Sequence, residues 1–239
     1  MFKNKEKPLI QFVSTIPGFE TVADATPKPS KAFTPEWFKS LPLEVDGVFT
    51  ARICPSFPDF FSQGYIMPFW MDTEFQLDNQ TSMWNIRSTP YHKEWSAHGP
   101  KQLLDHVDAK YQSEDARYIF KANSPWRVIT PPGYSVLQLP LFYHYDRDYS
   151  VLPGIIDTDI HHEVNQQVMY HGKSDYFRIN RGDPFAMYIP FKRIKPELSI
   201  ERITDEYQEI FDNQDLDLFT RFLNNGTYRK RQRNRDKKV

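Results

Sequence analysis

Two clusters of side chains in this 239-residue chain have the types and spacing to do chemistry. The first is Gly154-Ile155-Ile156-Asp157-Thr158-Asp159-Ile160-His161-His162, where carboxylates and imidazoles fall close together. Such groups suit acid–base work or metal ligation. In a strand, neighbouring side chains leave on opposite faces, so only one of His161 and His162 can join Asp157 and Asp159 in a site. The ordinary alternative is one inward and one outward imidazole. The second cluster is His144-Tyr145-Asp146, a His-x-Asp triplet. A facial metal triad needs another histidine from a distant strand. His171 could supply it, with Arg178 beyond to clamp a carboxylate. The ordinary alternative is a hydrogen-bonded surface pair. No metal and no cofactor is expected. Cys54 precedes Pro55 without a basic helix start, so no nucleophilic role is assigned to it.

The elements that must hold these residues are strands. Aromatics are 15% of the chain, and 19 prolines stand against 9 glycines. That balance suits short strands and ordered loops better than a helix bundle. The net charge of -1 excludes general polyanion binding by the whole molecule. Seven basic residues and one acid lie between Arg229 and Lys238, however. With one cysteine, no intramolecular disulfide forms, and no CxxC metal site exists. No signal-peptide core and no long apolar run is present, so a soluble protein of a reducing cytosol is expected, with no membrane partner.

Along the chain, residues 1–45 read as an extended proline-rich arm. Within it, Thr34 is expected as an N-cap and Pro35 as the first residue of one helical turn ending before Leu41-Pro42. Its aromatics, Trp37 and Phe38 among them, either pack over a barrel surface or reach a neighbouring subunit. Residues 46–195 read as a β-barrel domain. Alternation predicts strands over Val48 to Ile53, Gly64 to Trp70, Thr73 to Leu77 and Met83 to Arg87. A helical insertion, either a helix or a helical turn, is predicted near 101–120, around Gln102 to Tyr111. Further strands are predicted at Trp126 to Thr130, Tyr134 to Tyr145, Val151 to Asp159, Val164 to His171, Tyr176 to Asn180 and Phe185 to Arg193. Arg181-Gly182-Asp183 reads as a tight turn. Residues 196–226 read as a helical segment and 227–239 as a basic tail.

Three stretches carry a resemblance: Pro131-Pro132-Gly133-Tyr134, Gly154 to Asp159, and Gly182-Asp183-Pro184-Phe185-Ala186-Met187. In order and spacing they resemble motifs of the dUTPase and dCTP deaminase superfamily of β-barrels. The resemblance implies a substrate hairpin in which Asp157 orients the attacking water and contacts the sugar 3′-hydroxyl. The departures imply lost catalysis. Ile160 stands where the family has its sugar-discriminating tyrosine. His161 and His162 stand at the arginine and glycine positions, and Met187 at the glutamine. The phosphate-binding position reads Leu139-Pro140-Leu141, with no donor for a triphosphate. No glycine-rich arm follows Gly182. The stretches Trp126 to Ser135, Gly154 to Asp159 and Ile189 to Arg193 also resemble uncharacterised proteins of tailed, T4-like marine phages. His144-Tyr145-Asp146 is similar to the triplet of Fe(II), 2-oxoglutarate oxygenases, at a shorter spacing to His171.

The expectation is therefore a mainly β protein, an antiparallel dUTPase-like barrel or jelly roll with a C-terminal helical appendage. Its expected role is that of a non-catalytic phage structural or assembly protein, in the host cytoplasm or the virion. Expected partners are other phage structural proteins, in a homo- or hetero-oligomer, through Trp37, Phe38, Arg229, Lys230, Arg231, Arg233 and Arg235. Nucleic acid is a second partner for those tail cations. The alternative is a nucleotide hydrolase, deaminase or nucleotide-sequestering protein. Asp157 is then the catalytic candidate, and Asp157, Asp159 and His161 line the ligand site.

Overall fold

A computed structural model of the chain describes residues 9–78, 80–81, 83–89, 95–98, 100–106 and 118–212. In chain order the first strands and helices are β1 (Gln11–Ser14), β2 (Lys28–Pro29), α1 (Glu36–Ser40), β3 (Glu44–Val45), β4 (Val48–Phe49), α2 (Ser56–Phe61) and β5 (Tyr65–Pro68). Next come β6 (Asp72–Asp78), β7 (Met83–Thr89), β8 (Trp95–His98), β9 (Tyr118–Ile129) and β10 (Tyr134–Leu139). The series ends with β11 (Tyr149–Val151), β12 (Gly154–Ile156), β13 (Glu163–Tyr170), β14 (Tyr176–Ile179), β15 (Pro184–Lys192) and α3 (205–212). Every described strand pairing is antiparallel. The fold is mainly antiparallel β with a C-terminal helix.

Two compact units emerge. The larger holds the described residues up to Pro42 together with Cys54–Arg193. It contains a sheet ordered β1-β9-β13-β11 with β8 also on β9, a second ordered β12-β10-β15-β5-β2, and a third ordered β14-β6-β7. The smaller holds Leu43–Ile53 and the described residues from Ile194 onward.

Alternation writes the inner faces. In β13, Val164, Gln166, Val168 and Tyr170 are buried, with less buried residues between them. In β15, Phe185 to Tyr188 are buried in succession, as in a strand covered on both faces. Phe177 stacks on Phe75 at 4.1 Å and on Tyr170 at 4.3 Å between ring centroids. Truncating such a ring to alanine costs about 3–5 kcal/mol. A buried polar chain crosses the same core. Gln166 donates to the Tyr188 hydroxyl (2.6 Å), which donates to Gln138 Oε1 (2.9 Å), whose amide donates to the Leu152 carbonyl (3.1 Å). The chain satisfies its donors, while Gln166 Oε1 is left buried without a hydrogen-bond partner.

Several expectations need correction. The stretch read as an arm is woven into the sheets: β1 pairs with β9, and β2 with β5. Pro35 is the N-cap of α1 rather than its first helical residue, and Thr34 Oγ1 donates back to the Lys31 carbonyl at 2.9 Å. Val48 to Ile53 is not one strand. It is the two-residue β4 and a 3₁₀ turn over Ala51–Ile53. The β3–β4 hairpin turns on Asp46 (φ 52°) and Gly47 (φ 81°), the positive pair that a two-residue hairpin demands. The strand expected to run to Tyr145 stops at Leu139, because Pro140 has no N–H for the ladder. In the insertion, the described residues form helical turns of the 3₁₀ type at Pro100–Gln102 and Leu104–His106, and from Tyr118 onward the chain is strand β9. The His106 ring bonds the Lys101 carbonyl (2.7 Å), a local contact that competes with helical pairing. Val107 to Tyr111 lie outside the described residues. Residues 196–204 are not helical; helix occupies 205–212, and 213–226 lie outside the described residues.

Candidate functional site

The turn after β12 is built by its own backbone. The Asp157 carbonyl accepts the N–H groups of Ile160 (3.0 Å) and His161 (2.8 Å), while Thr158 is fully buried. The Thr158 hydroxyl meets that of Thr130 at 2.7 Å, pinning the turn to the end of β9. Opposite stands the turn Pro131 to Tyr134, closed by a Tyr134 N–H to Pro131 carbonyl bond of 3.1 Å. Gly133 takes φ 81° there, a conformation that glycine adopts without strain.

Arg193, just past β15, joins the two turns. Its guanidinium holds Asp159 in a two-pronged pair, one prong of 2.8 Å from Nη1 to Oδ1 and the other from Nη2 to Oδ2. The Gly133 N–H also donates to Asp159 Oδ2 at 2.8 Å. The hydrogen bond from Arg193, aided by that of Gly133, pulls the Asp159 carboxyl down to about 2. Reciprocally, Asp159 raises Arg193. The Asp159 side chain is 6% exposed and that of Arg193 35%, so the carboxylate is shielded while the guanidinium still meets solvent. Asp157 is held from two sides as well. Ser135 Oγ donates to its Oδ1 at 2.6 Å, and Arg193 Nη1 lies 3.2 Å from the same oxygen. Asp157 and Asp159 thus share one cation, with Asp157 53% exposed.

The remaining predicted site residues scatter. Ile160 and His161 point to solvent, while the His162 ring contacts the Thr158 carbonyl (2.9 Å). Arg181-Gly182-Asp183 is a tight turn: Gly182 has φ 90°, and Asp183 Oδ2 accepts the Asn180 N–H at 2.9 Å. His144, Asp146 and His171 do not assemble into a metal triad. Among the described residues no three His, Cys, Asp or Glu side chains are grouped to hold an ion. Arg178 lies 3.4 Å from Asp72 and 3.6 Å from Glu74 on the β14–β6–β7 sheet. Phe38, read as an exposed handle, is buried, stacked on Phe57 at 5.6 Å and packed on Phe61 at 4.9 Å. A one-turn helix sends neighbouring side chains in different directions, so Trp37 stays half-exposed. Arg229, Lys230, Arg231, Arg233 and Arg235 lie outside the described residues.

Sequence reasoning missed the second constellation. A cavity of about 690 Å³ opens between α1 and the turn after β10, lined by Trp37, Tyr143, His144, Tyr145, Glu36 and Asp146 among others. The Trp37 indole N–H donates to the Tyr143 carbonyl at 2.8 Å, across 106 positions of chain. Tyr143 takes φ 69°, rare for a residue with a side chain. Burial lowers His144, and Arg147 adds to this, so its ring is neutral at neutral pH. The signal that could have found this site is the aromatic density of Phe142-Tyr143 and Tyr145 beside Trp37. Arg193 was also missed, although it closes the Ile-Pro-Phe-Lys-Arg stretch.

No protein-family model matches the chain, and no curated protein does. Solved structures similar to it include a mutant dUTPase from phage phi11 of S. aureus. That match has 13% identity and a TM-score of 0.29, covering 46% of this chain and 98% of that one. The native dUTPase of EIAV gives 12% identity and a TM-score of 0.32, covering 59% of this chain and 87% of that one. A mutant dUTPase of Staphylococcus bacteriophage 80alpha gives 14% identity and a TM-score of 0.28, covering 48% and 99%. At such scores the residues themselves must carry any functional reading.

Proposed function

We propose that this chain is a non-catalytic protein that works through protein–protein contacts, as a structural or assembly component of a phage. The observation that carries this reading is the apolar exposure of the smaller unit. Ile194, Leu198, Ile200 and Ile203 are 62–87% exposed along a segment without helix or strand. Leu43, Val45, Val48 and Phe49 of the β3–β4 hairpin are exposed too. Soluble monomers seldom leave so many large apolar side chains in water; such surface marks contact with another chain. The carboxylate clamp supports the non-catalytic half of the reading. A water-activating carboxylate must be free to take a proton, and a phosphate site needs converging cations. Here the Arg193 cation is already engaged by two carboxylates.

The test is the native mass and composition of the assembly that holds this protein in infected cells. Stoichiometry with particle proteins is expected. A monodisperse monomer absent from particles would sink the reading.

One observation favours a second reading, a nucleotide hydrolase or nucleotide-sequestering protein. Asp157 keeps half its side chain in solvent at the hairpin position that the resemblance assigns to chemistry. Turnover of any deoxynucleoside triphosphate that disappears in Asp157→Asn would establish it.

A further inference from the structure

The cavity beside α1 has the shape and wall chemistry of a cation site. Its three rings stand at the corners of a nearly equilateral triangle. Centroids are 6.4 Å apart for Trp37 and Tyr143, 6.1 Å for Trp37 and Tyr145, and 6.5 Å for Tyr143 and Tyr145. The ring planes meet at 56°, 36° and 88°, so the rings form angled walls rather than a stack. A point over the triangle's centre lies within about 6 Å of every centroid, the range over which a ring face attracts a cation.

The walls are held in place before any ligand arrives. The Trp37 N–H to Tyr143 carbonyl bond fixes the indole. Tyr143 is backed by Phe57 at 5.2 Å and by Phe60 and Phe61 at 5.7 Å each. Its positive φ costs energy that surrounding packing must offset, a pattern that concentrates at ligand sites. The volume of about 690 Å³ suits a small ligand or a single long side chain.

Two carboxylates stand at the rim. Glu36 and Asp146 line the cavity with exposed carboxylates; Lys39 pairs with Glu36, and the Arg147 guanidinium lies 3.8 Å from Asp146. The rim charges therefore balance, and attraction for a cation rests on the three ring faces. Neutral His144 adds no opposing cation.

We infer that this cavity binds an organic cation of the alkylammonium or guanidinium class, seated on Trp37, Tyr143 and Tyr145 with Asp146 and Glu36 at its rim. The site is independent of the hairpin clamp and of the apolar surface of the smaller unit. Two sources carry that chemistry: a free quaternary ammonium compound, or an Arg or Lys side chain such as those between Arg229 and Lys238 of another copy.

The test is a titration of the full chain followed by NMR at the Trp37 indole N–H, a signal identified by its loss in Trp37→Phe. Choline is the probe and 3,3-dimethylbutan-1-ol its uncharged isostere. A saturable shift is expected with choline, at least about five-fold tighter than with the isostere. Tyr145→Ala, at a 78% exposed position where the fold tolerates change, should weaken choline by a similar factor. Asp146→Asn should weaken it less. Displacement of choline by a synthetic peptide spanning Tyr228 to Lys238 would assign the site to a protein side chain. Failure of that peptide with choline still bound would assign it to a small free cation. Equal affinity for choline and the isostere, or no saturation by any cation, would overturn the inference.

Discussion

The hairpin clamp and the α1 cavity both gather charged and polar groups at turns, yet they treat them oppositely. At the clamp, every polar group has a protein partner. Asp159 has Arg193 and Gly133, Asp157 has Ser135 and Arg193, and Thr158 has Thr130. At the cavity, Glu36 and Asp146 pair at the surface with Lys39 and Arg147 and, like Tyr145, stay mostly exposed around open space. A motif can therefore persist in a sequence as architecture, while the groups left available to a ligand sit where no motif points.

The sharpest way to break this comparison is Arg193→Met. It would leave the shielded Asp159 carboxylate without its cation and Asp157 with only Ser135. A lowered urea midpoint is expected, softened by solvent screening at Arg193. A midpoint unchanged from the parent would show that the clamp is incidental. Acid should dissect the same contact. The Asp159 carboxyl is held at about 2, below its ordinary value of 3.8, so folded and unfolded states bind its proton differently. Its contribution is complete above about pH 4 and disappears as pH falls toward 2. Acid unfolding of Asp159→Asn should lack that portion of the profile. Ser135→Ala removes one hydrogen bond to Asp157 and should cost about 1 kcal/mol in chemical denaturation. The smallest effect is expected across the cavity. His144 is lowered by burial, so its contribution to stability is whole above pH 6.5 and declines only as pH drops through its folded value. An NMR titration of its ring should give a midpoint below 6.5, and a midpoint above it would contradict a neutral cavity.

The strands were legible where alternation or burial left a pattern. Val164 to His171 and Phe185 to Arg193 predict β13 and β15 within a residue at each end. Proline obscured the rest. The spacing of Pro17, Pro27, Pro29, Pro35 and Pro42 reads as a loose arm, because proline cannot fill a central strand. Yet Lys28-Pro29 pairs at a sheet edge, where the missing N–H costs nothing. The hairpin over Glu44 to Phe49 was marked by Asp46-Gly47, a signal that the alternation of Val48 to Ile53 drowned. The turn role of Gly182 was readable from local spacing. The Arg193 clamp and the Trp37–Tyr143 contact were not, since both depend on partners 34 and 106 positions away.

The buried Gln166–Tyr188–Gln138 chain also equips the molecule with an optical gauge. Most phenols ionise near pH 10, each adding ultraviolet absorbance as it does. Tyr149, mainly through burial, is delayed to about 12. Burial delays Tyr188 further, outweighing the amide of Gln166 that donates to its oxygen. An alkaline titration should thus proceed in instalments. The Tyr188 instalment should arrive with the parting of the sheets, so its absorbance step reports global opening without any attached label.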